Sequence, residues 1–469
     1  MVENGGFLRV LGRGDVLALA FGAMIGFGWV VLTSDFLADA GPGGAALAFC
    51  VGGVVVALVG LCYAELVSAM PLAGGEHHYG LRALGSRGAF VASWAMLLGY
   101  LSVAAFEAVS LPQTLLYLFP DMLAGRMWTV SGYEVHATWV AVGAGAALAV
   151  TAVNYLGIRP ASVFQSIAVL FLLAVGVLLL VGSFTGGSGE DMRPLFRGGA
   201  GGLFNVLVAV PFLFVGFDVI PQSAAEIKLP YRQVGKLLVV SVACAALWYA
   251  LIMLTVGSGL TAGEAARADL ASADAMAGLW DSRTMGNILV AGGIAGILTS
   301  WNAFLIGGSR LLYAMAESGM LPRWFARLHP RFRTPAHAVL TIGGLSALAP
   351  LFGRPMLTWL VDAGGINIVV GYVVVVLCFL ALRRREPAME RPFRTPAGPA
   401  LGGAALLLSL GLGVLYLPGM QAALVWPQEW AIVGAWWAVG AVFLWRLPRV
   451  APGADAERRL RASVPGAAS

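Results

Sequence analysis

Charge is what this chain has least of: 11% of its 469 residues are Asp, Glu, Lys or Arg, against 59% that are hydrophobic. A soluble globular chain carries about 25% charged residues, and one of this length could not cover its surface with so few. Disorder needs low hydrophobicity and is excluded by the same balance. Cysteine is nearly missing. Cys50, Cys62, Cys244 and Cys378 all fall in apolar runs, which excludes a disulfide scaffold and predicts structural burial. Metal-ligand spacing is missing too: His77, His78, His136, His329 and His337 pair with no cysteine or acid at such a spacing, and Glu76-His77-His78 is not a zinc-protease pattern. No nucleophile–base set is visible at motif level, so the chain is expected to be no enzyme and to hold no cofactor.

What is there is apolar sequence in long runs. About 20 apolar residues in a helix cross roughly 30 Å of hydrocarbon. Twelve candidate runs occur, at 16–38, 44–69, 88–118, 137–157, 160–182, 202–224, 233–258, 285–314, 336–352, 356–382, 399–418 and 428–446. They are continuous, unlike the alternating strands of an outer-membrane barrel. The chain is therefore read as an all-α integral membrane protein with 12 transmembrane helices, in contact with lipid.

Loop charge sets the orientation. With the N-terminus inside, the inside segments hold 23 of the 29 Lys and Arg residues; Arg126, Arg193, Arg197, Arg267, Arg283 and Arg354 fall outside. Such a bias places both termini in the cytoplasm and the protein in the cytoplasmic membrane. Arg383, Arg384 and Arg385 then read as topology signals rather than nucleic-acid contacts. Ala38-Asp39-Ala40 mimics a signal-peptidase site, but the run from Val16 to Leu32 is longer than a typical h-region and glycine breaks it, so no cleavage is expected. The expected division is a cytoplasmic N-terminus at 1–14, spans one to five in 15–182, spans six to ten in 201–382, two more spans in 398–446, and a cytoplasmic tail at 447–469 that is disordered from 451 onward. Trp426, Trp430, Trp436 and Trp437 read as membrane-interface anchors.

Two runs are interrupted. The first contains Gly22-Ala23-Met24-Ile25-Gly26-Phe27-Gly28, where three glycines in seven residues weaken a helix. The sixth contains Pro211, then Phe214-Val215-Gly216-Phe217-Asp218, then Pro221. If spans one to five and six to ten are repeats, the breaks are equivalent, and paired breaks point to a midplane transport site. A broken helix leaves amides and carbonyls that hydrocarbon cannot satisfy, so a ligand, an ion or water must complete them.

These residues resemble the amino acid–polyamine–organocation transporters. The likeness runs over about 12–446 and rests on four pieces in order: the first break; Tyr63-Ala-Glu65 with Pro71-Leu-Ala-Gly74-Gly75-Glu-His-His-Tyr79; Gly216-Phe-Asp218 with Ala225-Glu226 and Pro230; and Ser309-Arg310-Leu-Leu-Tyr313 with Gly319-Met-Leu-Pro322. The resemblance implies a LeuT-like fold of two inverted five-helix repeats with helices one and six broken, plus two extra C-terminal helices. It implies a substrate site lined by Ala23, Met24, Ile25, Gly26, Phe27 and Gly28 on one wall and Phe214, Val215, Gly216, Phe217 and Asp218 on the other. Amides at the first break would hold a carboxylate, and carbonyls at the second an ammonium. Two departures stand out. Phe27 and Trp29 flank Gly28 where many relatives have a small residue, and the place of a lysine found in some proton-coupled relatives falls near Leu172. Residues 119–136 contain no cysteine, so the disulfide-linked heavy chain of the animal light-chain relatives is not expected as a partner.

An acid in the bilayer needs a reason. Asp218 at the second break either caps freed amides or meets an ammonium or a proton. Glu107 sits mid-span with no basic residue in span three, which suits a proton carrier or a counter-charge for a cationic substrate. Glu65 ends span two, where a gate or structural pair with Arg82 or Arg310 is expected. Thr299 and Ser300 on span eight, with the carbonyls of Gly22 and Ile25, would form a sodium shell, or else bond back to their own helix. The expected function is secondary transport of an amino acid or small organic amine by alternating access, with proton-coupled uptake. A polyamine or amino-alcohol carrier, a sodium symporter and an exchanger are the alternatives.

Overall fold

The computed structural model describes residues 7–26, 28–420 and 422–463. Its helices follow the apolar runs: α1 (Arg13–Met24), α2 (Gly28–Val31), α3 (Thr33–Ala69), α4 (Glu76–Leu118), α5 (Ala137–Leu156), α6 (Ile158–Gly186), α7 (Gly199–Phe214), α8 (Val219–Gln222), α9 (Tyr231–Gly259), α10 (Ala262–Ala265), α11 (Ala271–Leu279), α12 (Arg283–Glu317), α13 (Ala336–Leu348), α14 (Met356–Arg385), α15 (Gly398–Val414), α16 (Gln428–Arg446) and α17 (Ala456–Ser463). Among the described residues, nine helical stretches are long and apolar enough to cross a membrane, and the apolar helices Ala336–Phe352 and Gly398–Val414 are shorter. The outer face of α6 shows why such helices need lipid. Val163, Ile167, Leu170, Val177, Val181 and Phe184 recur at helical spacing, and Phe184 is 84% exposed. An exposed apolar stripe of that length is stable only against hydrocarbon.

Two groups of helices carry the packing. In one, α3 runs along α7 and α9; in the other, α4 runs along α12 and α14, with α13 against α5. Helix α1 touches α6, α9 and α12 between them. Helix α16 is clasped to α4 by two indoles: Trp94 and Trp436 stack at 4.3 Å, and each ring N–H donates to the other residue's carbonyl. Trp437 donates to Asn367 on α14. These two tryptophans therefore fasten helices together, where the sequence suggested membrane anchors.

Three further expectations change. The connection 119–136 is not plain loop: β1 (Arg126–Val130) and β2 (Tyr133–His136) pair antiparallel, so the chain is mostly helical rather than purely so. Ser131 and Gly132 between them both have positive φ, the signature of a two-residue hairpin turn. Cys62 and Cys378 are buried as expected, but Cys50 and Cys244 are exposed. The tail forms α17 over Ala456–Ser463 instead of running disordered from 451. It docks because it is amphipathic: Ala456 and Leu460 are buried, while Arg461 reaches Glu457 and Glu317 and His78 reaches Glu457. The irregular segment leading to α17 crosses α4 where that helix bends at Gly85, and a Cβ on Gly85 would collide with the Val450 carbonyl.

The tail lies on the face that carries most of the arginines. There Arg82 pairs with Glu386, and Leu11 bridges Ile227 in a short parallel contact. Phe7 is buried against Tyr313 and beneath the Arg310 guanidinium, and Arg310 forms a buried ion pair with Glu226 at 2.9 Å. Burial pushes the Glu226 carboxyl up, and the Arg310 charge draws it partly back. The N-terminal segment thus packs against this ion pair.

Candidate functional site

Helix α1 stops at Met24, and Ile25 has left the helical region (φ −96°, ψ 20°) before the chain restarts as α2 at Gly28. The glycines permit the break and also the contact around it. A Cβ on Gly26 would lie 2.6 Å from Ser300 Cβ and 2.7 Å from a Glu107 carboxyl oxygen. Gly22 is pressed as closely by Gln165 and Val169, and Gly28 by Leu213. Freed carbonyls find side-chain donors. The Tyr249 hydroxyl donates to Met24 O at 2.9 Å, the Thr299 hydroxyl to Gly22 O at 3.1 Å, and the Ser272 hydroxyl to Trp29 O at 2.8 Å. Such partners are what let a helix break inside an apolar layer.

Helix α7 stops at Phe214, and α8 begins only at Val219. Between them Gly216 holds φ 131°, and its N–H donates to Asp218 Oδ1 at 2.7 Å, so Asp218 does cap a freed amide. The two breaks touch: a Cβ on Gly216 would come within 2.6 Å of Ala23 Cβ and 3.0 Å of Met24 N.

A small cavity lies beside the first break. Ala23, Met24, Gly26, Gly28, Val103, Phe106, Glu107, Phe212, Leu213, Tyr249 and Ser300 line it. Of the residues singled out from sequence, this gathers Ala23, Met24, Gly26, Gly28, Glu107 and Ser300. Ile25 is buried nearby in the core, and Phe27 lies outside the described residues. Phe214, Val215, Gly216, Phe217 and Asp218 are not among the lining residues. Phe214 stacks on Tyr249 at 5.4 Å, and Phe217 packs on Tyr63 and Tyr372. The lining from α7 comes from the two residues just before these, Phe212 and Leu213. Glu107 and Asp218 accordingly have different neighbours: Gly26, Ser300 and Tyr249 for the first, Tyr100, Tyr63 and Tyr372 for the second.

Glu65 is a correction. Its carboxylate is buried and bound by Arg383 at 2.5 Å, by Arg391 at 2.9 Å and by the Thr395 N–H at 2.8 Å. Arg82 and Arg310, the expected partners, are taken by Glu386 and Glu226. Glu65 therefore ties the 386–397 loop to the end of α3. On α12, Thr299 bonds both to its own helix at Gly296 O and across to Gly22 O. Leu172 packs beside Gly26 O at the Gly296 contact, and the Gln165 amide donates to Ala18 O. Sequence reasoning missed Tyr249, Phe212, Leu213, Val103 and Phe106. Tyr249 alone carried a signal, a hydroxyl in an apolar run; the others look like any membrane-helix side chain.

A family profile described as amino acid permease matches residues 11–443. The branched-chain amino acid permease BcaP of Bacillus subtilis (strain 168) is 28% identical over 418 residues, 86% of this chain and 87% of that protein. The methylthioribose transporter of the same organism is 27% identical over 448 residues, 92% of each chain. The vacuolar cationic amino acid transporter 4 of Arabidopsis thaliana is 28% identical over 411 residues, 82% of this chain and 66% of that protein.

Proposed function

Because the chain belongs to the amino acid permease family, and is thereby a multi-pass membrane transporter and not an enzyme, we propose that it carries an amino acid or small organic amine across the cytoplasmic membrane by alternating access, with proton-coupled uptake. In this reading the chain has 12 spans. Residues 15–182 and 201–382 are two inverted repeats, α15 and α16 are the extra helices, and the basic face is cytoplasmic. The observation that carries it is the cavity where the α1–α2 break faces Glu107, Ser300 and Tyr249. Glu107 would meet the substrate ammonium, and amides at the break its carboxylate. Val103, Phe106, Phe212 and Leu213 would surround the side chain, which favours a neutral apolar amino acid over a polyamine, since one carboxyl rather than two lines the cavity.

Proton coupling is preferred to sodium coupling for a local reason. The Thr299 hydroxyl and the Gly22 carbonyl, two oxygens a sodium ion would need, are hydrogen-bonded to each other. Glu107 and Asp218 are the coupling groups in this reading. A thermal-shift screen of the purified protein against leucine, arginine, spermidine and ethanolamine at two pH values tests it. A ligand at about 100 times its Kd stabilises a protein by about 2.7 kcal/mol. Stabilisation by leucine is the expected result, and stabilisation only by the carboxylate-free amines overturns the amino-acid assignment. Glu107→Gln should abolish uptake driven by a pH gradient and weaken the stabilisation by ligand, since the ammonium loses its counter-charge; unchanged proton coupling in that variant removes Glu107 from the mechanism.

A further inference from the structure

A second polar cluster lies outside the cavity, on the basic side of the α7–α8 break. Glu76 is the first residue of α4, Asp218 stands before α8, and Gln222 ends α8. The Gln222 amide donates to Glu76 Oε2 and also reaches the Tyr100 hydroxyl at 3.3 Å. That hydroxyl lies against the Asp218 carboxyl. Tyr63 from α3 and Tyr372 from α14 close the group, their rings edge to face at 6.4 Å, with Tyr79 beside Tyr63. Every one of these side chains is buried. Glu76 Oε1, Asp218 Oδ2, Gln222 Oε1 and the hydroxyls of Tyr63, Tyr79 and Tyr372 have no hydrogen-bond partner among the described residues.

The cluster contains two acids and no base. Arg310 on α12 is bound to Glu226, and His77, the residue after Glu76, faces His78 and Glu457 of α17. No group of metal-binding side chains occurs among the described residues. Two carboxylates both ionised in so dry a place would repel each other with nothing to offset them, and paired carboxyls in that position retain a proton between them. Resting on the transport reading above, we propose that Glu76 and Asp218 form one proton-binding site bridged by Tyr100 and Gln222, so that Glu76 is a coupling residue. The placement gives the proton a mechanical consequence. Glu76 begins α4, in one helix group, and Asp218 follows α7, which runs along α3 in the other. Proton release leaves two like charges across that contact and favours its separation, which opens the basic face. Proton binding, from the O–H of a hydronium or water to one carboxylate oxygen, restores the contact.

Infrared difference spectra of the full chain in lipid nanodiscs, between about pH 5 and about pH 9, read the protonated-carboxyl stretch directly and need no substrate. The wild type should lose a buried-carboxyl band as pH rises, and Glu76→Gln and Asp218→Asn should each remove or shift it. A band unchanged in both variants overturns the shared site, whatever solute is carried. Tyr372→Phe, a milder change at the cluster wall, should move the midpoint of the band, and no movement also counts against the site. In proteoliposomes, Glu76→Gln should slow leucine counterflow, since the repulsion that opens the basic face is gone, and lose leucine accumulation driven by a pH gradient by about tenfold or more. Wild-type accumulation in the variant overturns the coupling role of Glu76, whereas absence of leucine counterflow in the wild type counts against the leucine reading instead.

Discussion

Gly216 rests on Ala23, so that the break in one interrupted helix is seated on the last turn of the other. The contact is backbone on backbone, and Gly216 is the residue that permits it: φ is 131°, and a Cβ would lie 2.6 Å from Ala23 Cβ. Both features forbid a larger residue, one through strain and one through collision.

Gly216→Ala should therefore lower the thermal stability of the purified protein by about 1–3 kcal/mol, the scale of a strained backbone position. Uptake should fall with it, because the two breaks cannot then meet. A melting curve matching the wild type would show that the contact tolerates separation.

The Glu65 cluster leads to the opposite separation of effects. Removing the carboxylate by Glu65→Ala leaves Arg383, Arg391 and the Thr395 N–H facing an uncompensated site. Breaking a buried pair from one side costs about 3–5 kcal/mol. A sharp fall in melting temperature is expected, while protein that survives should keep its pH dependence of uptake, since this carboxylate is spent on holding a loop. A change in proton stoichiometry at unchanged stability would make Glu65 a coupling group instead.

What could be seen from sequence divides along a physical line. Both helix breaks were legible, because glycine density at 22–28 and the Pro211, Gly216 and Asp218 series act through local backbone preference. The acids in apolar runs were legible because hydrocarbon makes them expensive. Glu65 is visible in the sequence as an acid needing a partner, but its partner Arg383 lies 318 residues away, and loop charge gives no means of choosing it over Arg82 or Arg310. Tyr249 and Met24 are 225 residues apart and joined by one hydrogen bond that no periodicity announces. Phe212 and Leu213 reach the cavity because of how α7 is rotated about its axis, which a run apolar on every side does not encode. The tail misled for a related reason: its composition is that of a free segment, and its order comes from partners on α4 and α12.

That docking makes a prediction with a definite sign. Burial opposes ionisation of Glu457, but the hydrogen bond to His78 and the neighbouring positive charge outweigh it, and the carboxyl is held below the usual carboxylate range. A depressed folded-state value means that its contribution is present above the free value of about 4.3 and is lost only as pH falls through the lower, docked value. Amide exchange over 456–463 should therefore stay equally slow from neutrality down to about pH 5, after correction for the intrinsic rate. Leu460→Asp, which puts a charge where a fully buried leucine sits, should release the helix and let trypsin cleave at Arg458 or Arg459 at least about tenfold faster. Protection that fades between neutrality and about pH 5 would contradict the assigned role of Glu457.

Gly26 offers the sharpest test of whether the first break serves a ligand. Its missing side chain leaves room for nothing more than the present backbone, with Ser300 Cβ at 2.6 Å and a Glu107 oxygen at 2.7 Å from where a Cβ would stand. Gly26→Leu fills the cavity from its backbone wall and pushes Glu107 and Ser300 back. Substrate-induced stabilisation should vanish, whereas the helices α3 and α14, which contribute no residue to the cavity lining, should melt much as before. Gly26→Ala is the graded control: its single methyl group meets the same two neighbours, so affinity should fall by about tenfold or more, the effect of roughly 1.4 kcal/mol. Normal affinity in both variants would mean that the glycine is there to let α1 end against α12, and that the ligand sits elsewhere.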